Sequence, residues 1–307
     1  MKIPAAFIQT IQQTFGERGR LFLNALPTLV QEAAERWQLS DLVTEENLSY
    51  NYIVFARRGD SEVVLKLGVP DRELTSEVRS LRHFAGRGAV QLLESDSGRG
   101  LLLLERLRPG AQLAALPDDR HATRIAAEVM LALRRPVPSE TGLIQLSDWF
   151  AGLTRIRDRL KDSPGPLDYR LVERAQAFAA ELLAEDRLPS LIHGDLHHFN
   201  ILSSQRGWLA IDPKGVIGPV AFEVGPLLMN PWVVVGLPPN ALSLARDRIA
   251  ILSEVLGFEP DRIRKWGLAY GVLSAVWSFE DNLEWQPAME CARILADLDS
   301  EIPRLPA

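Results

Sequence analysis

The 307-residue chain contains only one cysteine, Cys291. A single cysteine cannot form a disulfide within the chain, and it provides no cluster for structural zinc. This cysteine usage is typical of a reducing compartment, so we expect a cytoplasmic protein. The segment from Met1 to Phe7 is not typical of a signal peptide, because it lacks a long apolar run before a small-residue cleavage site.

Long apolar segments are also missing. The longest apolar stretch, residues 216–237, is interrupted by Glu223, Asn230 and several prolines, so we expect no membrane partner. The net charge of −6 and the pI near 5.5 give no indication of a nucleic-acid surface. The content of 47% apolar and 24% charged residues is typical of a globular protein, and the length suits two lobes.

Hydrophobic periodicity predicts an α+β protein whose main sheet comes early in the chain. The first part is predicted to contain a helical region at 3–38, strands at 48–55 and 62–67, a helix at 72–84, and strands at 90–93 and 101–104. A break at Arg108-Pro109-Gly110 follows, and we place the domain boundary between residues 107 and 108. The second part is mainly helical, with apolar stripes at 121–134, 147–160, 169–184, 241–256, 261–279 and 287–298.

A polar segment between two apolar runs is the main functional signal. His193 and Asp195 are followed by Asn200, and Asp212 ends the next apolar run. Phosphoryl transfer needs a group that takes the proton of the acceptor hydroxyl, and oxygen ligands that hold magnesium against the donor phosphates. Two aspartates and one asparagine supply these groups, and the spacing from His193 to Asn200 matches the catalytic loop of protein kinases. The pattern therefore predicts a phosphotransfer loop.

Two other interpretations of this segment exist. An aspartate and an asparagine alone would more often form a polar turn that caps backbone amides, but the joint spacing with Asp212 favours the catalytic loop. Alternatively, His193, His197 and His198 could bind a transition metal in a hydrolase. The chain has no helical HExxH pattern, and His193 lies in an apolar run, where a structural hydrogen-bonding role is more common.

Lys66 is unusual because it lies within an otherwise apolar strand, residues 63–67. Such a lysine is often an edge residue whose ammonium reaches solvent. The helix that follows offers two carboxylates, Glu73 and Glu77, either of which could hold the ammonium against nucleotide phosphates. We prefer Glu77, because Leu81 follows it by one helical turn.

Three further positions complete the predicted nucleotide site. The chain has no G-x-G-x-x-G motif, so Ser49 and Asn51, near the start of the first β-prone run, are the candidate cover for the phosphates. Glu105 and Leu107 follow the last predicted strand before the boundary, where their backbone groups could bind a purine edge. An ordinary strand end is the alternative interpretation of these two residues.

An acidic and aromatic cluster near the C-terminus could bind the acceptor. It consists of Trp277, Glu280, Asp281, Glu284 and Trp285. Carboxylates beside aromatic faces attract cationic sugars and guanidinium groups. The alternative is a solvated, acidic end of a helix.

The run from His193 to Leu202, together with Asp212-Pro213-Lys214-Gly215, resembles the aminoglycoside phosphotransferases, in particular their streptomycin 6-phosphotransferase (aminoglycoside/hydroxyurea antibiotic resistance kinase) branch. The resemblance implies a bilobal protein-kinase-like fold, with a nucleotide-binding N-lobe at 1–107 and a catalytic and acceptor-binding C-lobe at 108–307. It also implies ATP in the cleft and magnesium as cofactor. By position, Asp195 would be the catalytic base, Asn200 and Asp212 the magnesium ligands, and Lys66, held by Glu77, the phosphate-binding lysine.

The sequence departs from related patterns at two places. Asp212 is followed by Pro-Lys-Gly rather than by the Phe-Gly of protein kinases, so we expect no regulated activation segment. Glu223 stands where an aspartate is expected, which predicts an altered contact to the loop without a change in the chemistry.

We therefore expect an ATP- and magnesium-dependent O-phosphotransferase that acts on a small cationic acceptor, streptomycin or a related aminocyclitol. A kinase for an endogenous sugar or amino alcohol would carry the same motif. A non-catalytic nucleotide-binding pseudokinase is the third possibility, and the presence of Lys66, Asp195, Asn200 and Asp212 argues against it.

Overall fold

The structure is a computed structural model that describes residues 3–137, 142–162, 165–185 and 188–298. Its contacts divide the chain into two units, Met1–Gly110 and Ala111–Ala307. None of the described helices is both long and apolar enough to cross a membrane.

The first unit is built on an antiparallel sheet with strand order β1-β2-β3-β5-β4. Its elements are α1 (Ala5–Trp37), β1 (Leu39–Thr44), β2 (Tyr52–Arg58), β3 (Ser61–Leu67), α2 (Arg72–Phe84), β4 (Leu92–Asp96) and β5 (Leu101–Glu105). The predicted helix at 72–84 is confirmed, and the predicted hairpin at Gly59 joins β2 to β3.

Helix α1 covers one face of this sheet. Its buried residues, among them Phe7, Leu26 and Trp37, form one cluster with alternate residues of β2 and β3, including Leu65 and Leu67. Because successive side chains of a strand point to opposite faces, Lys66 lies on the other face of β3. That is the face from which α2 reaches it.

Three strands of the first unit differ from the prediction. The strand predicted at 90–93 is β4, which runs from Leu92 to Asp96. The strand predicted at 48–55 begins only at Tyr52, because a loop precedes it in which the Glu45 side chain accepts hydrogen bonds from the backbone amides of Glu46 and Asn47. Strand β1 was not predicted, since four consecutive residues in it, from Ser40 to Val43, are exposed and show no alternation.

The second unit is mainly helical, as predicted for this part of the chain. After β6 (Pro109–Gln112), which spans the boundary, its elements are α3 (Asp119–Leu133), β7 (Arg135–Pro136), β8 (Ile144–Gln145), α4 (Leu146–Asp162), α5 (Tyr169–Glu185), β9 (Ser190–Ile192), β10 (Ile201–Ser204), β11 (Gly207–Ala210), β12 (Val216–Gly218), α6 (Val224–Met229), α7 (Trp232–Val235), α8 (Ala241–Leu256), α9 (Pro260–Glu280) and α10 (Gln286–Asp297).

Short strands inside this unit position its polar loop. Strand β12 pairs with β9 on one side and with β8 on the other, in the order β7-β9-β12-β8. Strands β10 and β11 form a separate hairpin. Helix α9 is buried along most of its length and packs against α4, α5, α6 and α10.

Cys291 lies on α10, and its thiol is buried in the helical core with the Met229 carbonyl 4.0 Å away. Burial raises the pKa of this thiol to about 12. The chain's single cysteine is therefore held as an uncharged thiol.

Candidate active site

The polar segment forms the loop between β9 and β10. Strand β9 ends at Ile192 and β10 begins at Ile201. In the β10–β11 hairpin Ile201 pairs with Ala210, and the Ile211 amide donates to the Asn200 carbonyl over 2.9 Å. Asn200 and the residue after Ile211, Asp212, therefore lie at the same end of the hairpin. Asp212 has a φ of 58°, in the left-handed region, which aspartate adopts more readily than most residues.

His193 ties the start of the loop to the segment before Asp212. Its Nε2 lies 2.8 Å from the Ile211 carbonyl, and its Nδ1 accepts the Asp195 amide over 3.2 Å. The proton is therefore on Nε2. Burial lowers the pKa of this imidazole to about 4, so the ring is neutral at physiological pH. The structure gives His193 the structural role that its apolar neighbourhood indicated.

Glu223 stabilises the start of the loop through hydrogen bonds to its backbone. Its carboxyl group accepts hydrogen bonds from the amides of His193 and Gly194, the latter over 3.2 Å. Gly194 has a φ of 85°, and a Cβ there would lie 2.9 Å from a Val216 methyl group and 3.1 Å from the Trp149 ring. The predicted departure at Glu223 thus corresponds to a direct contact with the loop backbone.

The buried Glu223 carboxyl should make stability depend on pH. Burial is the largest influence and raises its pKa from 4.5 to about 8, although the two amides oppose this shift. Between these values the folded protein keeps a proton that the unfolded chain has released. The stabilisation present below pH 4.5 is therefore lost as pH rises through about 8, with a limiting slope of about 1.4 kcal/mol per pH unit.

Thermal melts of the Glu223→Gln variant across this range test that expectation. The variant should lose the downward slope of stability with pH, because glutamine does not titrate, whereas Glu128→Gln, at an exposed position on α3, should keep it. Equal slopes for the Glu223→Gln variant and the unsubstituted protein would contradict the expectation.

Asp195 lies in the middle of the loop with 27% of its side chain exposed. The Tyr270 hydroxyl, on α9, donates to its Oδ1 over 3.3 Å. The Nε2 of His197 lies 3.7 Å from the same oxygen. The Asp195 carbonyl accepts a hydrogen bond from Asn200 Nδ2 over 3.0 Å, so the two residues are fixed relative to each other.

The side chains of Asn200 and Asp212 offer oxygens suited to magnesium. With the Asn200 amide nitrogen directed at the Asp195 carbonyl, its Oδ1 points elsewhere and can serve as a ligand. Magnesium sites commonly combine one or two protein oxygens with substrate phosphates and water. Among the described residues, no group of three or more His, Cys, Asp or Glu could hold a metal ion, which leaves the transition-metal alternative without a ligand set there.

In the first unit, Lys66 and Glu77 form a buried ion pair. The Lys66 Nζ lies 2.6 Å from Glu77 Oε1, and the two side chains are 2% and 10% exposed. Asp71 caps α2 by accepting the Leu74 amide over 2.8 Å, which fixes the start of the helix that carries Glu77. The geometry selects Glu77 as the partner, while Glu73 lies at an exposed position.

The remaining nucleotide-site candidates lie at two loops of the first unit. Ser49 is exposed in the loop between β1 and β2, and a Cβ placed on Gly68 would lie 2.5 Å from the Asn51 side-chain oxygen. Asn51 thus lies against the backbone just after β3. Glu105 ends β5, and its carboxylate accepts the Gln91 amide over 2.8 Å, while Leu107 is buried.

The residues of the predicted acceptor cluster differ in their exposure. Trp277 is half-buried and lies with its ring centre 6.5 Å from that of Tyr270 and 5.2 Å from that of Trp149 on α4. Glu280, Asp281 and Glu284 are exposed, and Trp285 is half-buried. Of the cluster, Trp277 therefore lies beside Tyr270, whose hydroxyl contacts Asp195.

Sequence reasoning missed Tyr270 and Trp149. Both belong to helices whose apolar periodicity explains their presence, and Tyr270 is 75 positions from Asp195 in the chain. One signal was available for Tyr270, because a hydroxyl on a buried helix needs a hydrogen-bond partner. The partner itself could not be identified without the fold.

An antiparallel sheet with a lysine–glutamate pair, followed by a helical unit with this loop and hairpin, defines a protein-kinase-like phosphotransferase. The structure shares its fold with a thermostable mutant of aminoglycoside phosphotransferase APH(4)-Ia, at a TM-score of 0.62, 17% identity and coverage of 88% of this chain and 97% of that one. The chain belongs to the aminoglycoside/hydroxyurea antibiotic resistance kinase family, whose model matches residues 36–282.

Two named relatives are similar in sequence to this protein over most of the chain. Streptomycin 6-kinase of Streptomyces glaucescens is 34% identical over 290 residues, which are 92% of this chain and 92% of the relative. Hydroxyurea phosphotransferase of Kitasatospora aureofaciens is 35% identical over 301 residues, covering 95% of this chain and 84% of the relative. The predicted family, fold class and enzyme class, a phosphotransferase with a hydroxyl group as acceptor, are confirmed.

Proposed function

We propose that this protein transfers the γ-phosphate of ATP to a hydroxyl of a small cationic antibiotic, with streptomycin or a related aminocyclitol as acceptor. The observation that carries the proposal is the end of the β10–β11 hairpin. Asn200 and Asp212 lie at the same end of this hairpin, and the Asn200 Nδ2 donates to the Asp195 carbonyl over 3.0 Å.

Each of these residues has a role in the proposed reaction. Asp195 accepts the proton of the acceptor hydroxyl, for which its partly exposed carboxylate is suited. Asn200 Oδ1 and the Asp212 carboxylate would hold magnesium. Magnesium bound there would neutralise the charge on the donor phosphates. His193 and Glu223 act through the backbone, since they fix the loop from which Asp195 extends.

The first unit is the proposed nucleotide site. The Lys66 ammonium, oriented by Glu77, binds the donor phosphates, and Ser49 and Asn51 cover them from the loop between β1 and β2. The backbone of Glu105 and Leu107 binds the purine edge. Nucleotide use is supported by the APH(4)-Ia mutant of the same fold, which is a ternary complex with AMP-PNP and hygromycin B.

A cationic acceptor is supported by the surroundings of Asp195. Trp277 and Trp149 offer aromatic faces close to Tyr270, and the end of α9 carries exposed carboxylates at Glu280 and Asp281. Aromatic faces and carboxylates attract guanidinium and ammonium groups. The names of two relatives, streptomycin 6-kinase and hydroxyurea phosphotransferase, support streptomycin and hydroxyurea as the first acceptors to test.

A mass-shift screen tests the proposal. The purified protein is incubated with magnesium and either ATP or GTP, together with streptomycin, other aminoglycosides, hydroxyurea or simple amino alcohols. We expect streptomycin to gain one phosphoryl group with ATP, and phosphorus-coupled NMR of the product would identify the hydroxyl that carries it. Reactions without nucleotide serve as the control.

Two outcomes would overturn the proposal in different ways. Phosphorylation of amino alcohols but of no aminoglycoside would identify a kinase for an endogenous compound. Thermal stabilisation by ATP with magnesium, without phosphorylation of any acceptor, would identify a nucleotide-binding protein that lacks the activity.

A further inference from the structure

We propose that Tyr270 is a positioning residue that fixes which oxygen of Asp195 accepts the proton of the acceptor. This inference rests on the proposed function of Asp195 as the base. The Tyr270 hydroxyl engages Oδ1, with His197 beside the same oxygen, and Oδ2 is left to take the proton.

The Tyr270 hydroxyl is suited to act as a hydrogen-bond donor to the Asp195 carboxylate. Its side chain is buried, with only 7% of the residue exposed. Burial, followed by the nearby Asp195 charge, raises the pKa of its hydroxyl well above the usual value. The hydroxyl therefore keeps its proton at every physiological pH and remains a donor to Oδ1.

His197 supports the same oxygen electrostatically. Its Nδ1 accepts the Phe199 amide over 3.3 Å, so in the neutral ring the proton lies on Nε2. The Nε2 lies 3.7 Å from Asp195 Oδ1, which is too long for a hydrogen bond but directs a positive dipole at that atom.

The other oxygen of the Asp195 carboxylate, Oδ2, has no such hydrogen-bond donor among the described residues. Within the part of the chain that the structure describes, no side-chain or backbone group donates a hydrogen bond to it. In the proposed step the hydroxyl proton of the acceptor moves to Oδ2, and the hydroxyl oxygen forms a bond to the γ-phosphorus. The bond from that phosphorus to the β-phosphate oxygen breaks, and ADP leaves with its electron pair.

The Tyr270 ring has little freedom to release Oδ1. The Phe222 ring packs edge-on against it at 5.7 Å between centres. On another side the backbone of α6 approaches so closely that a Cβ at Gly225 would lie 2.6 Å from the Tyr270 Cβ. The carboxylate is thus held by a tyrosine that is itself held by two neighbouring elements.

The Tyr270→Phe variant tests the inference, because it removes only the hydroxyl. We expect kcat to fall about 10- to 100-fold, which corresponds to one hydrogen bond to a charged group. The KM for ATP should not change, since the Tyr270 hydroxyl contacts the proposed base Asp195 and none of Lys66, Asn200 and Asp212. Tyr52→Phe is the matched control, because Tyr52 is also buried and its hydroxyl lies 3.0 Å from Thr44 in the first unit. It should lower the melting temperature comparably without lowering kcat.

A double-mutant cycle with Asp195→Asn separates positioning from stability. If Tyr270 acts through Asp195, its substitution should have little further effect on kcat once Asp195 is asparagine, whereas a structural role would give additive losses. A normal kcat for Tyr270→Phe, or full additivity, would overturn the inference alone. An undiminished rate for Asp195→Asn would instead overturn the proposed function.

Discussion

Replacing Asp195 by asparagine is expected to reduce phosphate transfer about 1,000-fold, with little change in the affinity for nucleotide. General-base catalysis contributes about 10²–10⁴ in rate, and 1,000-fold corresponds to about 4 kcal/mol of barrier. Asparagine has the same shape and still accepts the Tyr270 hydrogen bond at its carbonyl oxygen. The loss would therefore come from the missing base, and single-turnover transfer from ATP to streptomycin measures it.

A matched control exists in the same unit. Asp118 caps α3 by accepting the amides of Arg120 and His121, and asparagine is an equally good capping residue. Asp118→Asn should therefore retain full activity. If Asp195→Asn transferred phosphate as fast as this control, Asp195 would not be the base.

Replacing Lys66 by methionine is expected to lower the transfer rate by about 100-fold or more, because preorganised charges aimed at a developing negative charge contribute on that scale. It should also destabilise the protein by about 3–5 kcal/mol, since the Glu77 carboxylate, 10% exposed, then stays buried with the ammonium removed. Initial rates and denaturant unfolding of the same sample measure the two effects.

A second substitution separates these two effects. In the Lys66→Met/Glu77→Leu variant the buried charge is replaced by apolar groups of similar volume, which often restores stability. We expect the double variant to recover most of the lost stability and none of the lost activity. Recovery of activity along with stability would show that Lys66 serves folding rather than phosphate binding.

Local signals made much of the fold predictable. Helix α2 matches its predicted bounds, 72–84, because Asp71 is a strong capping residue and apolar residues follow at helical spacing. Helix α8 also matches its predicted bounds, 241–256, because its apolar residues recur at helical spacing. Strand β1 was not predictable in this way, because an edge strand with four consecutive exposed residues shows no alternation.

The loop and its supports His193 and Glu223 were predictable, but its contacts with Tyr270 and Trp149 were not. The spacing from His193 to Asn200 is local, and the chemistry of magnesium and proton transfer restricts the residue types. Tyr270 and Trp149 reach the loop from helices distant in sequence, and an apolar pattern explains both without a site. The prediction that Trp277 belongs to an acceptor site was based on composition, and the structure adds that its ring lies against Tyr270.

The reactivity of the buried Cys291 thiol can be used to measure how often the fold around helix α10 opens. The thiolate is the reactive form, and with a pKa of about 12 and 1% exposure the folded chain offers almost none of it to a reagent. Labelling therefore requires that α10 first separates from the core. Because no other cysteine competes, the rate of labelling is proportional to the fraction of chains that are open. Ligands that bind the closed form would slow the reaction in proportion to their occupancy.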